Sequence, residues 1–169
     1  EFADVKKYFL NEVDTYKVIF IDGKFSSHLS STTHDGLDVC LMSSALNKPK
    51  YKMVIDEYFN KIANSDDSLT SLNTAFSQEG AYVNIPKSKV VEKPIEIIYF
   101  STGSEAALMT QPRNLIIVGE NSHVQIVERH QSLNENAVLT NSVTEIFAQK
   151  RAIVDYYKIQ NDNLEANLI

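Results

Sequence analysis

Two side chains in the second half of the sequence, Glu128 and His130, are the first candidates for chemistry. They lie two residues apart in the run His123–His130, where apolar and polar residues alternate, so a β-strand would place both on one face. A carboxylate and an imidazole placed in this way could form a metal-ligand pair or an acid–base pair. They could also form a hydrogen-bonded wall with no ligand. His123 and His130 would point to opposite faces, so one ion could bind both only at an irregularity such as a bulge.

The single cysteine, Cys40, is the third candidate. It sits between two apolar residues in a predicted strand, a setting typical of a small buried hydrophobic side chain. The alternative is a thiolate ligand for iron, which would need partner ligands that the neighbouring sequence does not supply. His28 and His34 lie in a Ser/Thr-rich loop and are predicted to be solvated, and a His34–Cys40 pair has no recognised ligand spacing. We therefore predict no catalytic, cofactor-binding or metal site, and the metal-ligand candidates are Glu128, His130 and Cys40.

Composition excludes several classes of function. The net charge of −6 and the absence of any basic cluster argue against nucleic-acid binding and against a polybasic membrane patch. No Gly-x-Ser-x-Gly elbow and no glycine-rich phosphate loop occur. The longest apolar runs are far shorter than the ~20 residues of a membrane span. One cysteine cannot form an internal disulfide framework and no secretory segment opens the chain, so we predict a cytoplasmic protein.

The elements that would position these side chains are mostly strands. Five runs rich in Val, Ile, Tyr, Thr and Phe are separated by turn-forming residues, and no helical period survives among them. These runs are residues 94–100, 113–119, 123–130, 140–148 and 152–160. Asp155 is unusual among them, because on an inward face it would need a partner or cost several kcal/mol. A local register shift is the simpler explanation of that residue.

The first half of the chain has a mixed pattern. Residues 1–10 could form an amphipathic helix, residues 16–25 predict a hairpin, and residues 36–42 predict a short strand. Pro49 is a favourable first residue of a helix whose apolar stripe runs to Ile62. Asp67 and its neighbours are a good N-cap for a second helix, which is predicted to end at Gly80. Strands with turns between them then suit a β-helix or an antiparallel sandwich, and the pattern alone does not choose between these two.

Several motifs in a fixed order resemble the SufB/SufD family of iron–sulfur cluster assembly proteins. They are the run 71–86 (SLNTAFSQEGAYVNIP), the entry Lys93–Ile95, the leader 18–25 (VIFIDGKF), the run 113–119 and the ending 127–130. Residues 18–25 and the LNTAF motif resemble SufD more than SufB. The resemblance covers about three quarters of the chain, and no single motif would be specific enough by itself.

The resemblance implies a mainly β fold: a right-handed parallel β-helix preceded by a small α/β leader with two helices. Residues 1–66 would end an N-terminal region, and residues 67–169 would be opening coils of a β-helix truncated at its C-terminus. The chain has no initiator Met and stops on Leu168–Ile169, so we expect a fragment of a longer protein. The resemblance also implies a non-enzymatic scaffold that pairs with a SufB-like subunit and a SufC-like ATPase. Iron or an iron–sulfur cluster would be handled by the full complex, through residues outside this sequence.

Two rival functions remain at this point. One is a β-helix enzyme acting on polysaccharides, which needs clustered Asp and Arg or Lys side chains on one external sheet, often with calcium. Only Arg113, Arg129 and Arg151 are available, and no acidic cluster lies at strand spacing near them. The other is a β-sandwich binding module, carbohydrate-binding for example, whose strands would pair antiparallel. The older description of such chains as ABC-transporter permeases conflicts with the absence of an apolar span. We also expect self-association through an exposed end of the β-helix.

Overall fold

The computed structural model describes residues 5–10, 12–31, 35–63, 66–77, 79–102 and 108–169. The described chain is mainly β, as predicted, with three α-helices and one 3-10 helix rather than the two helices expected. The helices are a 3-10 helix (Val5–Tyr8), α1 (Met42–Leu46), α2 (Pro49–Tyr58) and α3 (Ser68–Phe76). The strands are β1 (Tyr16–Ile21), β2 (Lys24–Phe25), β3 (Asp38–Leu41), β4 (Ala81–Ile85), β5 (Ile95–Ser101), β6 (Leu108–Thr110), β7 (Arg113–Val118), β8 (His123–Ser132), β9 (Val138–Thr140), β10 (Val143–Ala148), β11 (Ile153–Asn161) and β12 (Ala166–Leu168).

These strands form three sheets, here called A, B and C. Sheet A has the order β11-β8-β5-β1-β2, sheet B the order β10-β7-β4-β3, and sheet C the order β12-β9-β6. From β5 onward the chain visits A, C and B in turn, and each strand from β8 to β12 pairs in parallel with the strand three before it. Ile95 pairs with Ile126, and His123 pairs with Ile153. The chain therefore returns to the same sheet after about 30 residues, once per winding.

The main core lies between the inner faces of sheets A and B. Val18, Ile97 and Ile126 from sheet A face Val83 and Ile116 from sheet B, and all five are nearly inaccessible to solvent. Because side chains alternate along each strand, every second residue reaches this core. Each fully buried aliphatic side chain of this kind stabilises the fold by about 1.5–3 kcal/mol.

Strands β5 and β7 are buried on both faces, because other elements cover their outer sides. The 3-10 helix places Val5 against Ile98 and Phe100 on the outer face of sheet A. Helices α1 and α2 cover the outer face of sheet B, where Tyr51 and Ile55 are buried. Continuous apolar runs such as residues 115–118 are typical of strands covered in this way.

In the first part of the chain, the helices and strands are mostly of the predicted type, but several are shorter than predicted. Helix α2 begins at Pro49 as predicted, but it ends at Tyr58, and Ile62 beyond it is 58% exposed. The strand predicted over residues 36–42 ends at Leu41, where α1 begins because Met42 packs against sheet B. The helix predicted over residues 1–10 is present as the four-residue 3-10 helix, and residues 1–4 lie outside the described residues. Within the described ranges, none of the helices is both long and apolar enough to cross a membrane.

Helix α3 begins where it was predicted to begin and ends earlier. The Asp67 carboxylate accepts a hydrogen bond from the Thr70 N–H at 2.6 Å, which is the expected N-cap. The helix ends at Phe76, so the prediction that Gly80 would end it was wrong. Gly80 is needed for a different reason: a Cβ there would lie 1.9 Å from the main-chain oxygen of Arg113. Two main chains approach each other at this point, and only glycine leaves room for them.

The buried residue of α3 is Asn73, and it joins the helix to the strands. Its side-chain nitrogen donates to the Pro112 oxygen at 2.9 Å and to the Asn141 oxygen at 2.8 Å. These carbonyls belong to successive windings, at the connections that follow β6 and β9. Asn73 thus holds the helix against two equivalent corners of the fold.

Replacing Asn73 with Ala is expected to lower the free energy of unfolding by about 2–4 kcal/mol. The substitution leaves two main-chain carbonyls without this donor, and each buried group left unsatisfied costs about 1–3 kcal/mol. Urea unfolding followed by circular dichroism measures the change. Thr74→Ala on the exposed side of the same helix is the control and should change the free energy by about 0.5 kcal/mol at most. Equal losses in the two variants would contradict the bridging role of Asn73.

Candidate functional site

Glu128 and His130 lie together inside the fold, as the alternation of β8 predicted. Both point to the inner face of sheet A, where Glu128 is 0% exposed and His130 is 2% exposed. Asn114 from β7, Thr144 from β10 and Tyr156 from β11 surround them. These five residues are called the interior cluster below. Three strands and two sheets contribute to it besides β8 itself, so it forms only when the windings stack.

Every oxygen of Glu128 is occupied by donors of its own chain. His130 Nε2 lies 2.9 Å from Oε1, and the hydroxyls of Thr144 and Tyr156 each donate to Oε2 at 2.7 Å. The Lys158 ammonium lies 3.9 Å from Oε1, with one third of its side chain exposed. A buried carboxylate is stable only when it is paired and hydrogen-bonded in this way.

Burial acts to raise the pKa of Glu128, but the hydrogen bond and charge of His130, with Thr144 and Tyr156, outweigh it and lower the pKa to about 2. Burial and the nearby Glu128 charge raise the pKa of the Tyr156 hydroxyl. Glu128 is therefore ionised at neutral pH and Tyr156 is protonated. A carboxylate with so low a pKa and no exposure is a poor proton carrier. The arrangement supports the hydrogen-bonded wall over the acid–base pair.

A buried ion pair, Arg113–Glu145, links the neighbouring strands β7 and β10 of sheet B and holds the loop after α2 against them. Arg113 Nη2 donates to Glu145 Oε2 at 2.9 Å, and both side chains are at most 2% exposed. The Glu145 carboxylate also accepts from the main-chain N–H groups of four successive residues, 60–63, at 2.8–3.2 Å. Burial acts to raise the pKa of Glu145, and these amides together with Arg113 lower it. The loop after α2 is thus a ring of donors closed around one carboxylate.

The other two arginines also have acidic partners. Arg129 donates to Glu96 at 2.8 Å and to the main-chain oxygen of Tyr8, which fastens the 3-10 helix to sheet A. Arg151 pairs with Glu120 at 2.9 Å on the surface. Each arginine that a polysaccharide-active site would require is thus bound to an acidic residue of its own chain. Within the described residues, no group of three or more His, Cys, Asp or Glu side chains is placed to hold a metal ion.

Two protein-family models together match nearly the whole chain. The SufBD protein N-terminal region matches residues 3–97, and the SufBD core domain of SUF system FeS cluster assembly matches residues 99–168. The chain belongs to the SufBD family. The resemblance that the motifs indicated is thereby confirmed.

The curated relatives of this SufBD chain bear related names. An iron–sulfur cluster assembly SufBD family protein of Synechocystis is 24% identical over an alignment that covers 95% of this chain and 37% of the relative. The iron–sulfur cluster assembly protein SufD of Bacillus subtilis is 28% identical over 64% of this chain and 25% of its own length. A chloroplastic SufBD family protein of Arabidopsis thaliana is 28% identical over 85% of this chain and 26% of its own length. The chain spans about a quarter to two fifths of the length of these relatives.

Cys40 lies apart from the interior cluster of the SufBD chain. It sits in β3 as predicted and is half-buried, against the cluster formed by α1, α2 and sheet B. Burial raises the pKa of its thiol, which disfavours the thiolate that iron would need. His28 is exposed as predicted, and His34 lies outside the described residues, so the His34–Cys40 pair lies outside them too.

Asp155 corrects one expectation about the faces of β11. It lies on the outer face with Ile153 and Tyr157, which are 56% and 57% exposed. Its carboxylate lies 3.0 Å from His123 Nε2, a contact that lowers the pKa of Asp155. The pairing of β11 with β8 runs without a break, so the predicted register shift was wrong. Ile153 and Tyr157, which share a face with Asp155, are on the solvent side, so the Asp155 carboxylate does not point into the core.

The sequence did not reveal the remaining members of the interior cluster. Asn114 and Thr144 are polar residues in apolar runs, and only the register of sheet B places them side by side and opposite Glu128. Tyr99 stacks on the His130 ring at 5.1 Å and donates its hydroxyl hydrogen to Asn114. A repeat of about 30 residues, applied to the sequence, would have aligned Asn114 with Thr144.

Glu128→Gln is expected to lower the free energy of unfolding by about 3 kcal/mol near neutral pH and by less in acid. The folded pKa of about 2 lies below the usual 4.5, and one pKa unit corresponds to about 1.4 kcal/mol. The native chain therefore has this contribution in full above pH 4.5 and loses it as the pH falls toward 2. Urea unfolding from about pH 6 to about pH 2.5 measures it. The exposed Glu165→Gln is the control, and a constant gap between Glu128→Gln and the native chain would contradict the prediction.

Proposed function

We propose that this SufBD chain is part of a non-catalytic, SufD-like scaffold subunit of the SUF iron–sulfur cluster assembly complex. The proposed partners are a SufB-like subunit and a SufC-like ATPase, and the proposed location is the cytoplasm. The observation that carries the proposal is the match of both SufBD descriptions, in order, to a chain whose strands stack in parallel. The similarity to the Bacillus subtilis protein named SufD, together with the LNTAF motif, supports assignment to the SufD branch of the family.

The windings are proposed to be the opening coils of a right-handed parallel β-helix, with residues 67–169 as its first part. Support comes from the regular visits to sheets A, C and B and from the step of about 30 residues between paired strands. Of the nine strand pairings among the described residues, seven are parallel, and an antiparallel sandwich does not fit that pattern. In such a fold each coil buries its apolar side chains by stacking on its neighbours.

The proposed mechanism is structural. The interior cluster and the Arg113–Glu145 pair join residues from different windings, so they fix the register in which the windings stack. A stack of fixed register presents sheet surfaces and edges to partner subunits, on which iron or a cluster is handled as cargo. The buried carboxylates of Glu128 and Glu145 serve this rigidity, because the lowered pKa of each keeps it ionised and each is hydrogen-bonded to neighbouring windings or to the loop after α2.

A gentle pull-down of the protein with its natural ends, from its own cells, tests this proposal. The tagged protein is expected to co-purify with a sister SufB-like chain and with a Walker-motif ATPase, both identified by mass spectrometry. An untagged strain serves as the control. Recovery with a SufD-like chain in place of a SufB-like chain would move the protein to the SufB branch. Recovery of the protein alone would overturn the scaffold proposal.

A further inference from the structure

The loop that follows α2 binds a side chain of strand β10 through its main chain. Asn60 donates its N–H to Glu145 Oε2 at 2.8 Å, and the N–H groups of residues 61–63 donate to Oε1 at 2.9, 3.1 and 3.2 Å. Arg113 Nη2 donates to Oε2 at 2.9 Å. The four N–H groups of residues 60–63 and the Arg113 guanidinium are called the carboxylate receptor below.

The backbone of this loop has the form that gathers N–H groups around an anion. Asn60 has a φ of +60°, in the left-handed region. A left-handed residue in a turn directs successive N–H groups to one side, and such concavities bind anions. The Asn60 side-chain oxygen also accepts from Arg113 Nη2 at 2.9 Å, so the loop holds the guanidinium beside its own N–H groups. Every donor of the loop belongs to the main chain, and the receptor therefore does not depend on the side chains of residues 61–63.

The loop covers the carboxylate with few apolar contacts of its own. Residues 60–62 are exposed, whereas the Glu145 side chain beneath them is 1% exposed. The nearby aromatic contact is that of Phe59, whose ring centre lies 5.2 Å from the Arg113 guanidinium carbon. Segments with exposed side chains and little buried apolar surface open locally at a small cost in free energy. A small ion can therefore reach the receptor without unfolding of the sheets.

The charge of the receptor selects an anion. Arg113 forms its buried ion pair with Glu145, so removal of that carboxylate leaves a buried positive charge and four N–H donors without their acceptor. Both are unfavourable in a buried setting, and an ion that satisfies them stabilises the fold. The donors of Glu128 differ, because they are side chains of strands packed in the interior. Of these two carboxylate sites, the one at Glu145 is the one that an opening loop makes accessible.

We propose that residues 60–63 and Arg113 form a binding site for one small carboxylate group, which Glu145 occupies as an internal ligand. The loop after α2 thus closes by binding a carboxylate that β10 delivers. Glu145→Ala removes the atoms beyond Cβ, a methylene and a carboxylate, which match the acetate ion in size and charge. Acetate therefore binds in the variant with its oxygens in the positions of Oε1 and Oε2, whereas the native site is filled. This site goes beyond the scaffold function proposed above and does not depend on it.

Urea unfolding of the protein with its natural ends tests the site, with sodium acetate as the probe and sodium chloride of equal ionic strength as the reference. In Glu145→Ala, about 0.3 M acetate is expected to raise the urea midpoint by about 0.5 M over chloride, because a ligand of the folded state stabilises it. Acetamide lacks the charge and pivalate is too bulky, so neither is expected to raise the midpoint. If Glu145→Ala is unfolded in buffer, every sample receives the same concentration of trimethylamine N-oxide, which favours the folded state.

The native chain and Glu120→Ala are the matched controls. Glu120→Ala removes the same atoms from a surface ion pair, so acetate is expected to act on it, and on the native chain, no more than chloride does. Amide NMR locates the ion: in Glu145→Ala, acetate is expected to move the N–H signals of Lys61 and Ile62 toward their native positions and to leave that of Ile97 in place. Equal midpoints in acetate and chloride, an equal effect of acetamide, an equal acetate effect in Glu120→Ala, or unmoved signals in the loop would each overturn the proposal.

Discussion

Gly80→Ala is expected to lower the free energy of unfolding by about 3 kcal/mol or more. A Cβ at this position would lie 1.9 Å from the Arg113 carbonyl oxygen and 2.5 Å from its carbon, which are main-chain atoms. They are held in place, because the Arg113 N–H donates to the Glu79 oxygen and Asn114 accepts from the Ala81 N–H at 2.8 Å. Relief would require β4 and β7 to separate, so the loss should appear in urea unfolding and as reduced yield of folded protein.

Gly36→Ala is the matched control for that prediction. Gly36 has a φ of +80°, and no atom of the described residues lies within 4 Å of an added Cβ, so the substitution is expected to cost backbone strain without a clash. Left-handed backbone at a non-glycine residue costs about 1–2 kcal/mol. If Gly80→Ala destabilised the protein no more than Gly36→Ala does, the close approach of β4 to β7 would be excluded.

Glu145→Ala is expected to lower the free energy of unfolding by about 3–5 kcal/mol. The substitution leaves the Arg113 charge buried without its acidic partner, and breaking a buried pair has an effect of this size. It also takes the acceptor from the main-chain N–H groups of residues 60–63. Urea unfolding measures the total. The contacts of Glu145 with Arg113 and with residues 60–63 are here called the Arg113–Glu145 clamp. Because this clamp holds the loop after α2 against sheet B, amide hydrogen exchange should be accelerated more in α2 and that loop than in β5.

Glu120→Ala is the control for the loss of an acidic side chain. Glu120 pairs with Lys87 and Arg151, whose side chains are 65% and 60% exposed, and exposed pairs of this kind contribute about 1 kcal/mol or less. A loss in Glu145→Ala no larger than in Glu120→Ala would mean that the Arg113–Glu145 clamp does not support the fold. If amide exchange in Glu145→Ala accelerated equally in all strands and helices, the pair would stabilise the whole fold rather than α2 and its following loop.

Local features of the sequence predicted much of the secondary structure. Pro49 and Asp67 marked the beginnings of two helices, because proline suits the first turn and a carboxylate can cap free N–H groups. Alternation along β8 was enough to place Glu128 and His130 on one face, since strand side chains alternate whatever the strand packs against. The motif order was enough to indicate the family.

Tertiary structure decided which of these residues are joined and what each one contacts. Gly80 reads as a helix end in sequence, and its need for glycine comes from Arg113, which is distant along the chain. Arg113 meets Glu145 because β7 and β10 are neighbours one winding apart. Asn73 looks like an ordinary helix residue until two carbonyls from successive windings reach it. Such contacts depend on the register between windings, which short-range patterns in sequence do not encode, because register is set by packing across sheets.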